Sequence, residues 1–534
     1  MADLYIAEDE RVRPLYPYGG NERDIAARAR ELDGRAAESG QAAHAQREAL
    51  VAALERYARE VTGLTTGRQT LLDKLRDPRA LTVVTGQQAG LFTGPLYTVY
   101  KAISTAAWAA HYERLLARPV VPIFWVASED HDFEEVASAY YVSRDGTLEK
   151  AALRHRPAAR APVGYHAIND GEYRHILERL ALRLPQGVHT RDLLQQLDAA
   201  HRDTGNMADL FARLLGEWLK DVPLLLLNPL RPDLRALAAP AFAAVLAEAD
   251  RFRDAAVVGD KRVRQLGITP QVEVNPRHSL LYVIEDGVRS ALDMIPDARD
   301  AFVLRDRGTT FTKAELLARL QTRPETFSAG ALYRPVVQDH LLPVLAYVGG
   351  AAEIAYHGMM KDIFAESLRT MPPLLLRMRA VALPKQAVAA LRRVGFGYEE
   401  ARAEDFERRL LATAMAQPVA QVVEQLVGGW RRDLHERADY FTALAPSCVR
   451  AVGKADAGLE EVGRRLTRRA ERAALRGRQE LAGALAAAQS WCQPRGTEQE
   501  RVLSPLSLIA EYGTEWIVQM LEHGCSQDIC RFEL

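Results

Sequence analysis

Two short segments hold the residues best able to do chemistry. In FWVASEDHDFEE, Glu129, Asp130, His131 and Asp132 follow directly on an apolar run, with Glu134 and Glu135 close behind. Charges cannot continue a buried strand, so these side chains must face a cleft or solvent. In a cleft, crowded carboxylates raise one another's pKa and His131 supplies a group titrating near neutrality, which suits general acid and base work or a divalent-ion site. The plainer alternative is a helix N-terminus whose acids complement its dipole. In TGQQAGLFTGP, glycines stand at 86, 90 and 94 between a strand-like run and a helix start. Backbone N–H groups and a helix N-terminus placed there can hold an anion, or the turn can serve only close helix–sheet packing. The loop is neither a Walker A motif nor GxGxxG. Lys101, seven residues beyond Gly94, is about two helical turns on and need not point at the loop.

A third segment, FSAGALYRPVVQDHLLPVLAYVGGAAEIAYHGMMKDIF, offers Arg334, Gln338, Asp339 and His340 before an apolar run and Glu353, Tyr356 and His357 after Gly349-Gly350. Arg334 can clamp a carboxylate or phosphate bidentately, or form a salt bridge at a sheet edge. CQPRGTEQER, with Arg495 and Arg501, reads as a polar surface turn that can meet phosphate.

The elements that must position these residues follow from the hydrophobic pattern. LTVVT from Leu81 and VVPIFWVAS from Val120 read as buried strands, with a helix of 3.6 periodicity between them near Pro95. Strand, helix, strand implies a right-handed crossover and a parallel sheet, with ligands at the carboxyl ends of its strands. The glycine and acidic loops then leave the same end of adjacent strands and share one crevice. Further strand-like runs are VPLLLLNP, SLLYVIEDG (a hairpin or edge strand) and LLPVLAYVGG. The sheet is expected to be assembled within residues 1–382, with insertions at about 144–202 and 290–330. Residues 383–491, rich in Ala, Arg, Glu and Leu, read as a long helical hairpin or coiled coil, and 492–534 as a segment returning to the core.

Bulk properties set the limits. At 534 residues two or more units are expected, and 48% hydrophobic with 26% charged residues describes an ordinary globular chain. Lys+Arg 69 against Asp+Glu 70 gives no field that favours nucleic acid or an anionic membrane. With no signal-like N-terminus and no long apolar run, the expected location is the cytoplasm. Four cysteines (Cys448, Cys492, Cys525, Cys530) do not make a disulfide framework, and HGCSQDIC lacks the ligands of a complete metal site.

The segments Val83 to Lys101, Pro122 to Glu135, Phe327 to Tyr356 and Pro494 to Arg501, in this order, resemble the motifs of the bacillithiol-biosynthesis cysteine-adding enzymes, the BshC family. The resemblance implies a Rossmann-like parallel-sheet core with helical insertions, a long α-helical coiled-coil domain and a homodimer built partly through it. It implies a ligase joining the L-cysteine carboxyl to the amine of glucosaminyl-malate to form a low-molecular-weight thiol. Carried onto this chain, the motifs mark Glu129, Asp130, His131 and Asp132 as catalytic. They mark Gly86, Gln87, Gln88, Gly90, Thr93, Gly94, Lys101, Trp125, Arg334, Gln338, Glu353 and Tyr356 as substrate-binding, and Arg495, Gln499 and Arg501 as contacts for a nucleotide. FSAG and GGAAE depart from the family's usual FSPN and GGPGE, which bears on loop geometry in the third segment.

Amide formation from a free carboxylate is uphill in water, so an activator is expected. ATP, with magnesium, is the simplest, although no HIGH or KMSKS signature is present. Arg334 and the glycine loop would hold anionic groups while His131 or a neighbouring carboxylate takes the amine proton. Two other readings stay open: a sugar-directed transferase using a pre-activated donor, and a non-catalytic helical scaffold that binds a partner.

Overall fold

The apolar runs at 81 and 120 become β1 (Leu81–Gln88) and β2 (Val120–Ala127). They are followed by β3 (Leu225–Leu227), β4 (His278–Glu285), β5 (Val288–Met294), β6 (Ala301–Leu304), β7 (Thr310–Thr312), β8 (Phe327–Ala329), β9 (Val344–Gly349) and β10 (Leu374–Leu376). The structure is a computed structural model that describes residues 1–534 except 157–159, 297, 299, 414–418, 446 and 477. The described chain divides into one unit of Met1–Tyr141, Glu149–Val381 and Glu500–Arg531 and another of Val142–Leu148, Ala382–Gln499 and Phe532–Leu534.

In the first unit β10-β9-β1-β2-β3 form a parallel sheet. Its strands are apolar on both faces because both faces are covered. Much of that cover comes from α1 (Glu22–Tyr57) and α2 (Tyr97–Leu116). Ile25, Ala29 and Leu32 of α1 join Ala109 and Tyr112 of α2 over Leu81 and Val83, whereas Leu50, Val51 and Leu54 pack with Val84, Val121 and Ile123. Residues 83 and 84 point to opposite faces of a strand, so the two halves of α1 serve opposite layers. Gly40, at φ 52° and ψ −123°, makes the bend between them, a conformation only glycine adopts without strain.

SLLYVIEDG lies elsewhere than in the parallel sheet. β4 pairs with β5 through a turn at Asp286-Gly287 and with β8 on its other side, within an antiparallel sheet of order β8-β4-β5-β6-β7. It is therefore a hairpin strand flanked on both sides. The chain then enters α3 (Arg334–Leu341), β9 and α4 (Ala351–His357). Pro335 sits in the first turn of α3, where its missing N–H costs nothing.

The second unit contains α5 (Val419–Glu436) and α6 (Cys448–Arg476). Gly463 lies so close to Val427 that an added Cβ would meet its Cγ2 at 3.0 Å, and Arg431 makes a two-point ion pair with Asp456 at 2.7 and 2.8 Å. Contacts that descend one helix as they climb the other make the pair antiparallel, the expected helical hairpin. No helix among the described residues is long and apolar enough to cross a membrane.

Candidate active site

β1 and β2 end side by side, Gly86 opposite Trp125 and Gln88 opposite Ala127, so the glycine and acidic loops share one edge. β2 and β3 extend the sheet to one side of β1 and β9 and β10 to the other. The strand order switches direction at β1, and at such a switch point a parallel sheet forms its crevice, here beyond the carboxyl ends of β1 and β9.

Lys101 occupies that crevice. Its Nζ donates to Gly86 O (2.8 Å) and Gln87 Oε1 (2.9 Å) and lies 2.5 Å from Glu353 Oε2. The sequence spacing left its direction open. A helical side chain leans toward the N-terminus, and the long lysine stem completes the reach to the loop before α2. Glu353 also accepts from Tyr347 OH (2.7 Å) and from Gly350 N–H (2.9 Å), where it closes the first turn of α4. Burial pulls the Lys101 ammonium below the usual lysine range, with Glu353 opposing. Burial would raise Glu353, but the Lys101 charge and the Gly350 N–H override it and hold the carboxylate low. At 2.5 Å the two groups form a close ion pair, with 18% of the Glu353 side chain still open.

Arg334 enters from α3, 3.2 Å from Tyr356 OH and 3.8 Å from Asp130 Oδ2. Its buried Nε has no partner among the described residues. Burial pushes Tyr356 up to about 12 despite the neighbouring Arg334, so its phenol stays protonated. Asp130 is flanked on its other oxygen by Arg289 of β5 at 3.6 Å. Half-buried His131 places Nδ1 3.4 Å from the same guanidinium. Burial lowers the His131 pKa, and the Arg289 charge lowers it further. Asp132 is exposed.

The glycine turn is tight. A Cβ on Gly90 would come within 2.9 Å of Gly94 Cα, and Gly94 itself has φ 68°. Phe92 and Thr93 also take positive φ, 51° and 67°, a strained conformation for a bulky and a β-branched residue. The Thr93 hydroxyl and that of Thr98 in the first turn of α2 are buried without a partner among the described residues. Gln87 donates to Tyr97 OH at 3.2 Å, and Gln88 is partly buried beside it.

Several residues singled out from sequence do other work. Glu129 forms a buried ion pair with Arg235 at 2.5 Å, because the chain two residues past β2 is still below the surface. Trp125 is 1% exposed in the core and backs Gly86 rather than facing a small molecule. Gln338 is buried one turn beyond Arg334. Gln499 is buried, its Oε1 accepting from Ala382 N–H and its Nε2 donating to Ala382 O and Trp491 O. Glu500 of the same motif ties Arg377 and Ala380 N. Arg495 and Arg501 are exposed. Asp339 belongs to the opposite edge of the sheet. It is wholly buried against Arg28, Arg35 (2.9 Å) and Arg369 (3.0 Å), and Arg28 also bonds Val344 O at the start of β9.

Arg289 was missed by sequence reasoning. Its signal was a charge inside the apolar alternation of VRSALDM, a position that a strand buries only when the charge has a partner. Among the described residues no group of three His, Cys, Asp or Glu side chains converges as a metal site.

Comparison with known proteins agrees with this architecture. A family model described as bacillithiol biosynthesis BshC, N-terminal Rossmann-like domain, matches residues 1–378, and one described as the C-terminal coiled-coil domain matches 384–528. Relatives carrying the name "Putative cysteine ligase BshC" include one from Heliobacterium modesticaldum, 33% identical across 71% of this chain and 69% of its own. One from Salinibacter ruber is 31% identical across 87% and 84%, and one from Shouchella clausii 30% across 84% and 83%. With a matching model over most of its length, a parallel sheet whose strand order switches at β1 and an antiparallel helical hairpin, the chain belongs to the BshC family of bacillithiol biosynthesis.

Proposed function

We propose that the chain is a cysteine ligase acting in the cytoplasm, which forms an amide between the carboxyl of L-cysteine and the amine of glucosaminyl-malate. The observation that carries this reading is the crevice between β1 and β9, where Lys101, Arg334 and Arg289 converge with Glu353 and Asp130. Such a site suits substrates that bring carboxylates, and the uncommitted Nε–H of Arg334 suits a carboxylate clamp.

A carboxylate oxygen of cysteine attacks a phosphorus of ATP, with ADP or diphosphate leaving. The amine nitrogen then attacks the activated carbonyl carbon. As the C–N bond forms and the tetrahedral species collapses, the C–O bond to the phosphoryl group breaks with its electron pair on the departing oxygen, and nitrogen loses one proton. What supports a phosphate near the glycine turn is the N-terminus of the 20-residue helix α2 together with two unpartnered hydroxyls, Thr93 and Thr98. The donor set does not suit a resident magnesium ion, because two guanidinium groups flank Asp130. A magnesium ion in this reading arrives with the nucleotide.

Incubating the protein with cysteine, glucosaminyl-malate and ATP is expected to give the amide by mass spectrometry, with one ATP consumed per product. Product without nucleotide from a pre-activated cysteine donor would favour a transferase instead. No product in either case would leave a binding role.

The same proposal includes a homodimer through the helical hairpin. Val422, Leu426 and Trp430 recur at helical spacing on α5 and stand 40–48% exposed, as do Val462 and Leu466 on α6 at 50% and 41%. Trp430→Glu is expected to halve the mass measured by light scattering at micromolar protein. An unchanged dimer, or a wild-type monomer, removes the hairpin as the interface.

A further inference from the structure

We infer that Arg289 is a positioning residue that holds His131 as the neutral tautomer protonated on Nε2, so that His131 meets substrate as a hydrogen-bond donor and not as the base. Arg289 is itself fixed. Its Nε donates to Ser328 Oγ at 2.9 Å, its Nη2 to Ala329 O at 2.8 Å, and its guanidinium lies 3.8 Å from the centre of the Tyr282 ring. β4 supplies Tyr282 and β8 supplies Ser328, which are register partners. These contacts leave Nη1 aimed at the acidic loop, 3.4 Å from His131 Nδ1 and 3.6 Å from Asp130 Oδ1.

A guanidinium has donors and no acceptor, so the contact has only one polarity: N–H to the Nδ1 lone pair. A neutral imidazole whose Nδ1 accepts carries its proton on Nε2. The other charged groups facing the ring are Arg160 and, from its own loop, Asp130 and Asp132. Asp130 is shared with Arg289 and Arg334, and Arg160 opposes a second proton on the ring. With both nitrogens committed, His131 cannot take the amine proton, and that proton must go to another base. The Nε2–H can instead donate to the oxygen on which negative charge develops when the amine attacks. This role rests on the ligase reading above; the tautomer does not.

The test is a long-range proton–nitrogen correlation spectrum of the full chain labelled with nitrogen-15 histidine. The His131 signals are identified by their loss in His131→Gln. The wild type is expected to show the Nε2–H pattern, and Arg289→Ala a tautomer mixture whose titration midpoint rises by about one pH unit. Ser328→Ala, which keeps the charge but removes one anchor, is expected to move the same signals less. An Nδ1–H pattern in the wild type overturns the inference whether or not Arg289→Ala folds. So does a tautomer unchanged in a folded Arg289→Ala.

The kinetic arm uses the amide-forming assay. Glutamine keeps an N–H donor but no base, so His131→Gln is expected to retain about tenfold more activity than His131→Ala. Equal loss in the two variants argues against the donor role. A wild type with no ligase activity but an Nε2–H signal would strike the proposed reaction and leave the tautomer assignment standing.

Discussion

Lys101→Met is expected to lower the free energy of unfolding by about 3–5 kcal/mol, the usual consequence of removing one partner from a buried ion pair, and to abolish turnover. Methionine reproduces most of the lysine stem, so little packing volume is lost and the effect isolates the charge. What remains is the Glu353 carboxylate beside Tyr347 OH and Gly350 N–H with no counter-charge, and Gly86 O and Gln87 Oε1 without their donor. Adding Glu353→Gln to Lys101→Met is expected to recover a large part of the loss, because the uncompensated charge disappears with the carboxylate. Urea unfolding of the two single variants, the double variant and the wild type measures both statements. A Lys101→Met protein within about 1 kcal/mol of wild type would mean that the pair contributes little net stability. The double variant should remain inactive even where its stability returns. Restored turnover in it would remove Lys101 from the reaction.

Asp339→Asn is expected to produce the opposite split, a loss of about 3 kcal/mol or more of stability with little change in turnover per folded molecule. Asp339 sits at the amino edge of the sheet and answers three guanidinium groups, of which Arg28 is wholly buried. Burial would raise its pKa, but Arg28, Arg35 and Arg369 together hold it below the usual carboxylate range. A carboxylate depressed in the folded state contributes stability that is fully present above its unfolded value, near 3.9. That stability is lost as pH falls through the lower folded value. The difference between wild type and Asp339→Asn is therefore expected to be full at pH 7, to begin shrinking as pH falls through about 4 and to be lost at the lower folded value. Thermal unfolding of both proteins across that range tests it. A gap that instead closes between pH 5 and 7 would assign the effect to some other group.

The two substitutions separate the ends of one sheet. Lys101 and Glu353 stand past the carboxyl ends of β1 and β9, where the chain has finished pairing and side chains can face a crevice. Asp339 precedes β9 and is sealed. In the sequence Glu353 and Asp339 belong to one segment with similar charged residues, and nothing in composition ranks them. The difference arises because β9 carries the chain about 20 Å from one edge of the sheet to the other.

Local pattern was enough to place the strands at 81, 120, 225 and 344, the helix between the first two, and the helical hairpin, since each depends on periodicity and breakers within a short window. It was also enough to place the glycine and acidic loops at one edge, because a β–α–β crossover leaves no other arrangement. What local pattern could not supply was pairing across long separations. The assignment of 278–285 to a second, antiparallel sheet, the contact between His131 and Arg289 across a sequence separation of 158, and the partner that turns Glu129 from a free carboxylate into half of a buried pair are all tertiary facts. Side-chain type and spacing determine which chemistry is available in this chain. Which carboxylate is neutralised, which lysine reaches back to its loop and which nitrogen of His131 bears the proton depend on charges brought within about 4 Å by the fold, where Coulomb energy exceeds thermal energy.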